Sequence, residues 1–385
     1  MTSQYTPVLN QDIEKQPLQN QNNGYQPQWT SNNNATFKKS SKIALITLGL
    51  LGVTFIGHFF GSPCSNSMFI SNQKQQETTH QDWLASPLNI NDVLNKNTVA
   101  AECTVDTPLH LWEGQSIYQV PHSIKGLHVV EKTEKIIKYI RLMNGKINVV
   151  ENKDLDQTKI TFDIKLSEEI QNESINIEEE ETEDDYNLAV VIKDGDGKSH
   201  NSGCVQINAL IEIPSLNELN NFELDTITND INIGNEFEFK NSLQLSNIAG
   251  DLTVNKIKAT SIKLKNVSGD IQGVFDLTQG QFITDTTSGD IKVTFDHISP
   301  GSTIISKSVN GKTDIQVPTD FESKFKLSST LGKVNVEATN SDILHYTRSH
   351  RMFGQTIKGS YGVDENADSE INASTLNGEI KLTYQ

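Results

Sequence analysis

Apolar positions in the second half of the chain recur about every twenty residues around the same small corner. Aligned on Asn229, Gly250, Gly269, Gly289, Gly311, Gly332 and Gly378, the residues seven before are Phe222, Leu243, Ile262, Phe282, Ile304, Phe325 and Ile371. Two before stand Ile227, Ile248, Val267, Thr287, Val309, Thr330 and Leu376; two after stand Ile231, Leu252, Ile271, Ile291, Thr313, Val334 and Ile380. The first five spacings are 21, 19, 20, 22 and 21 residues, a period that marks a repeat architecture. Within one repeat, Ile262-Lys263-Leu264-Lys265 alternates apolar and polar, as a strand with one buried face does. Asn266-Val267-Ser268-Gly269-Asp270 follows. Gly supplies the positive φ of a tight corner, and Asn or Asp beside it hydrogen-bonds local backbone. Asn229 in place of Gly is compatible with left-handed geometry. Ile271 then returns to the core, and Ile257, Phe275, Phe295 and Val317 mark a second, less regular strand. One such coil has too few apolar residues to bury itself, whereas stacked coils about 4.8 Å apart share one core. The expectation is an all-β chain folded as a β-solenoid of ~20-residue coils, or two elongated sheets wound in that manner.

The first half is less regular. Strands are expected at 109–112, 140–150, 158–166, 188–192 and 205–213. Gly145, with Met143 two before and Ile147 two after, fits the corner register and is a candidate opening of the solenoid. The acidic run 178–185 (EEEETEDD) reads as a solvated loop, with a calcium or cationic-ligand role as the alternative. Asp194-Gly195-Asp196-Gly197 reads as a hairpin turn; it lacks the spaced carboxylates and closing Glu of a calcium loop. The beat breaks between Val336 and Ile371. Residues 341–370 read as a degenerate coil plus a loop covering the sheet, or as a ligand-contacting loop.

Hydropathy divides the chain. Residues 43–61 (IALITLGLLGVTFIGHFFG) carry no formal charge apart from titratable His58, and nineteen helical residues just cover a bilayer's hydrocarbon core. The stretch lies too far from the start for a cleaved signal peptide, so a signal-anchor helix is expected. Lys38, Lys39 and Lys42 precede it, and no Lys or Arg follows until Lys74. The positive-inside tendency then puts the N-terminus in the cytosol and the C-terminal domain outside the cell or in a secretory-pathway lumen, a type II topology. The organisation expected is a disordered tail (1–42) whose first 36 residues hold 14 Asn or Gln, the membrane helix (43–61), a stalk (62–105) and the solenoid (106–385), regular from about 220. Four Lys against Asp12 and Glu14 give the first 61 residues +2, so the remainder of a chain that is −17 overall carries −19. An acidic ectodomain argues against nucleic-acid binding. In an oxidising compartment Cys103 and Cys204 are a candidate pair, leaving Cys64 for an intermolecular bridge; three separate thiols is the alternative.

The corners Gly250-Asp251-Leu252, Gly269-Asp270-Ile271 and Gly289-Asp290-Ile291, the lead-in Ile211-Glu212-Ile213-Pro214 and the closing Asn377-Gly378-Glu379-Ile380 resemble the putative-adhesin family of β-solenoid domains in bacteria and fungi. The resemblance spans roughly residues 137–385 and implies a fold, not an established activity. Gly311-Lys312 and Gly332-Lys333 depart from it by replacing the acid.

Candidate chemistry is sparse. The chain contains no GxSxG elbow, phosphate-binding loop or HExxH helix. Asp251, Asp270 and Asp290 stack on adjacent coils, which would suit a glycosidase or calcium; as turn residues bonded to backbone they need neither. No enzyme and no cofactor is expected. Ile283 and Ile305, six before their corners, face outward and form a candidate partner patch, or one covered by 341–370. Lys263 and Lys265 make a small basic stripe beside them. Asn172, Asn266 and Asn372 head glycosylation sequons on the expected lumenal side; Asn34 heads one on the cytosolic side. The function expected is surface presentation, for adhesion or a structural envelope role, with a protein or cell-surface glycan as ligand. The alternatives are a secretory-pathway membrane protein whose solenoid binds a protein partner, and a glycan-processing enzyme.

Overall fold

The computed structural model describes residues 103–134, 137, 140–193, 203–214, 219–351, 353–362 and 368–385. The expected tail, the membrane segment 43–61, most of the stalk, Asn34, Cys64 and the 194–197 turn lie outside the described residues. Among the described residues no helix is long and apolar enough to cross a membrane.

The strands in chain order are β1 (His110–Leu111), β2 (Ile117–Val120), β3 (Gly126–Thr133), β4 (Ile140–Met143), β5 (Gly145–Glu151), β6 (Thr158–Leu166), β7 (Ile175–Glu181), β8 (Asp185–Ile192), β9 (Gly203–Ile213), β10 (Asn221–Asp225), β11 (Asn229–Glu238) and β12 (Ser242–Ala249). They continue as β13 (Leu252–Ser268), β14 (Ile271–Ser288), β15 (Ile291–Ile298), β16 (Thr303–Asn310), β17 (Thr313–Val317), β18 (Ser323–Ser329), β19 (Val334–Ala338), β20 (Leu344–Arg351), β21 (Gly354–Tyr361), β22 (Glu370–Asn377) and β23 (Ile380–Tyr384). Each rung of the stack pairs a front strand, which precedes the corner, with a back strand, which follows it. The long strands β13 and β14 serve two rungs each. They start in the back sheet, shift register near Ala259 and Ser261, and finish in the front sheet. Gln279, with φ 49°, turns β14 at this bend.

Parallel pairing gives nine rungs among the described residues: β8/β9, β3/β5, β10/β11, β12/β13, β13/β14, β14/β15, β16/β17, β22/β23 and β18/β19. Space and sequence disagree at both ends. The rung made by β8 and β9 lies outside the earlier β3/β5 rung. At the other end β22 and β23 slot between β16/β17 and β18/β19. Antiparallel strands close both ends: β7 on β8 and β6 on β9 at one, the β20–β21 hairpin on β18 at the other.

The periodic columns build the core. The residues seven before and two after each corner are all at most 2% exposed. Their side chains meet between the two sheets, where Phe275, Phe282 and Phe295 pack with ring centroids 4.9–6.0 Å apart. The column two before the corner behaves otherwise. Residues seven, five and three before share the inner face, so two before must point outward. Ile248 and Val267 are accordingly 39% and 45% exposed, whereas Val309 in the same column is buried.

Three expectations change. Glu178 to Glu181 are the second half of strand β7, and only Thr182 to Asp184 form the turn. Their partners Tyr186, Leu188 and Ala189 on β8 hold the acidic run in a strand that its composition disfavours. Within 341–370 the described strands β20 and β21 form no cover: they extend the front sheet sideways. The interval breaks the beat because the chain builds this cap before returning to fill the vacant rung. The corner geometry also splits. Gly250, Gly269, Gly289 and Gly311 have φ of 125°, 133°, 147° and 151°, whereas Asn229, Gly332 and Gly378 do not have positive φ. Asn229 therefore does not stand in for Gly through left-handed geometry; it opens β11 in ordinary strand pairing with Gly145.

Candidate binding face

The corners show why the sequence repeats as it does. At Gly269 an added Cβ would lie 2.1 Å from the Gly250 carbonyl oxygen, so the next coil closes down on bare backbone. The inner residue three before the corner is polar in every regular coil, and in three of them it ties the corner to its neighbour. Asn247 Nδ2 donates to the Asn229 carbonyl at 2.6 Å, Asn266 Nδ2 to Gly250 at 2.7 Å, and Ser329 Oγ to Gly378 at 2.9 Å.

The Asp column is consumed in the same way. Asp230 Oδ1 accepts from the Asp251 backbone N–H at 3.1 Å. Asp251 accepts from Asp270 at 2.8 Å, Asp270 from Asp290 at 2.8 Å, and Asp290 from Lys312 at 2.7 Å. Each carboxylate satisfies the corner of the following coil, which accounts for the acid at these positions without catalysis or metal. The column ends where Lys312 supplies only its backbone donor. Among the described residues no group of three or more His, Cys, Asp or Glu is placed to hold a metal ion.

The outer face of the front sheet carries a second ordered set of polar side chains. One row crosses it perpendicular to the strands: His128, Glu223, Gln244, Lys263, Ile283, Ile305, Asn372 and Lys326, joined partner to partner by the register. Ile283 and Ile305 are direct partners and half-buried, with Lys263 on one side and Asn372 on the other. The two isoleucines thus form a small apolar step in a polar row.

A depression of about 300 Å³ opens at the other end of this row, lined by His128, Asn221, Glu223, Ser242, Gln244 and Lys263 among others. His128 Nε2 lies 3.2 Å from Glu223 Oε2, and Gln244 Nε2 donates to Glu223 Oε1. Burial, and then the neighbouring Lys265, lowers the Lys263 ammonium from its ordinary range. Donors and acceptors here repeat at the strand spacing, suited to a polar ligand lying across the strands. The repeat flagged Lys263, Ile283 and Ile305. It missed His128, because β3 lies outside the regular beat, and Glu223, although Glu223 occupies the same position six before its corner.

The other predicted positions are scattered. Cys103 and Cys204 are joined, with S–S 1.93 Å and Cα–Cα 5.8 Å, across a sequence separation of 101. The bond fastens the start of the described chain to β9 of the outermost rung. Asn172 sits in a short 3-10 turn beside β7, where its Oδ1 accepts from the Glu113 backbone N–H. Asn372 lies half-buried on the front face. Asn266 is 5% exposed and its amide nitrogen is bonded inward, so the folded corner has no place for a glycan there. On the back sheet Lys256 reaches carboxylates of three other rungs, Glu236 at 3.7 Å, Asp276 at 3.5 Å and Asp296 at 2.9 Å. The hydrogen bond to Asp296 leads in holding its ammonium above the ordinary range.

Residues 198–383 match the family model described as Toastrack DUF4097. That bears out the family resemblance read from the Gly-Asp corners. No curated protein matches the chain. Solved structures that it resembles include a putative cell adhesion protein from Clostridium sporogenes, 14% identical, covering 72% of this chain and 100% of that one, with TM-score 0.31. A putative adhesin from Bacteroides fragilis is 10% identical over 70% of this chain and 98% of its own, with TM-score 0.28. One from Parabacteroides distasonis is 11% identical over 72% and 98%, also with TM-score 0.28.

Proposed function

We propose that the chain is a single-pass type II membrane protein that presents its acidic β-solenoid outside the cytosol, for adhesion or a structural role in the cell envelope. The span at 43–61 with its lysine-bearing cytosolic flank supports the topology. The observation that carries the binding role is the division of labour across each coil. Corner carboxylates are spent on backbone, while the front face offers an ordered polar row with a depression. Binding without turnover is the chemistry that such a surface supports. The test displays the full chain on cells that lack it and measures attachment to cell and glycan surfaces. Glu223→Ala with Lys263→Ala should abolish attachment and leave the fold intact. Attachment unchanged by these substitutions would remove the front face from the account. Turnover of a glycan that is lost in Asp270→Ala, with folding intact, would replace it with an enzyme.

A further inference from the structure

Among the described residues, the front sheet ends in two strands of opposite charge, each with one edge unpaired. At one end β7 (INIEEEE) carries Glu178, Glu179, Glu180 and Glu181, all exposed, and among the described residues pairs with β8 alone. Glu183, Asp184 and Asp185 follow, and no Lys or Arg occurs between 175 and 192. Two of these acids have local partners: Glu178 meets Lys132 at 2.9 Å and Glu179 accepts from the Tyr186 hydroxyl at 2.6 Å. Glu180 and Glu181 project from the exposed end of the strand. At the other end β18, β21 and β20 contain Lys324, Lys326, Lys358, Arg348 and Arg351, with no Asp or Glu. The outermost, β20 (LHYTRSHR), pairs among the described residues with β21 alone. Arg348 donates to the Val334 carbonyl at 3.4 Å yet stays exposed, as does His345. Tyr346 on the same strand is 47% exposed and Phe353 in the turn 70%.

We propose that the solenoid associates head to tail with further copies of this chain, the acidic β7 edge of one copy adding to the basic β20 edge of the next. Direction permits it. β7 runs against the parallel front strands and β20 runs with them, so a translation along the stack brings the two edges together antiparallel. Their lengths match, seven residues against eight. Unpaired edge strands present a row of backbone donors and acceptors, and natural proteins blunt such edges with charge. Like charge on each edge blocks pairing of an edge with its own kind. Opposite charge on the two edges removes that block for head-to-tail pairing alone. The interface is heterologous and does not close on itself, so the product is an open string rather than a dimer. The inference stands apart from the adhesion role, because it rests on the sheet ends and not on the front face.

The test uses the full chain in detergent, with sedimentation and chemical cross-linking read at low and high salt. Wild type should give a ladder of oligomers at low salt that collapses to monomer at high salt. Glu180→Lys with Glu181→Lys should lose the ladder, and so should His345→Glu with Arg348→Glu. Mixing the two variants should restore it, since each then offers the edge the other lacks. On the wild-type background, Glu180→Cys with Thr347→Cys should give an intermolecular disulfide ladder, an arm that does not depend on the charge variants folding. A wild-type chain that stays monomeric at low salt and gives no cysteine ladder overturns the proposal. So does an oligomer insensitive to both salt and charge reversal, which would use another surface.

Discussion

Glu131 follows Val130, the register partner of Asp225, and so stands beside Thr226 at the inner position three before the corner. Later coils fill that position with Asn247, Asn266, Thr286 and Ser308. Its carboxylate accepts from the Ile227 backbone N–H at 3.1 Å and from Asn229 Nδ2 at 2.7 Å. Burial outweighs these bonds and pushes its pKa up from 4.5 to about 7. An acid with a raised folded pKa costs nothing below the unfolded value, where both states are protonated. Between pH 4.5 and about 7 the unfolded chain ionises first, so stability falls with rising pH and then levels. The penalty is at most about 3 kcal/mol. Glu131→Gln should therefore leave stability unchanged below pH 4.5 and raise it above pH 7, in denaturant melts taken across that window. A melt whose wild-type and variant difference is flat with pH would refute the burial account. Gly269→Ala tests the corner: its φ of 133° and the approach of the Gly250 carbonyl should cost about 2–5 kcal/mol in the same melts.

At the scale of the element, the inserted rung makes the clearest demand. β22 and β23 are the only strands that join β16/β17 to β18/β19 among the described residues. Deleting residues 370–385 should expose everything from β18 to β21 to proteolysis while the coils before β17 stay protected. Digestion that spares β18 to β21 in the truncated chain would mean that the rung order is wrong. This order was not legible in the sequence, because Ile371 and Ile380 repeat the column pattern without saying between which neighbours they sit. The regular coils were legible: the columns of Phe222 and of Ile231 are core in every rung. The strand in the acidic run was hidden because Glu178 to Glu181 have polar composition and only their pairing to β8 fixes them. On the candidate face, period and parity placed Lys263, Ile283 and Ile305 correctly on the outer side. They could not show the depression, which forms only when β3, from outside the beat, stacks beside β10.

Across the whole molecule, the disulfide and the topology stand or fall together. Cys103–Cys204 closes a loop of 101 residues around the outermost rung, a constraint worth about 2–4 kcal/mol of stability. Replacing both cysteines by Ser should lower the melting temperature, and the unfolding of β8, β9 and β3 should be affected most in hydrogen exchange. The bond also needs an oxidising compartment, and glycosylation at Asn172 needs the sequon on the lumenal side of a membrane. Topology in intact cells is therefore the most direct measurement. Both ends are tagged, external protease is added, and the full chain is run with and without glycosidase and reductant. The account predicts a protected N-terminal tag and a C-terminal domain accessible at the cell surface or within sealed lumenal vesicles, with Cys103 and Cys204 oxidised. A C-terminal tag in the cytosol, with both thiols free, would contradict it.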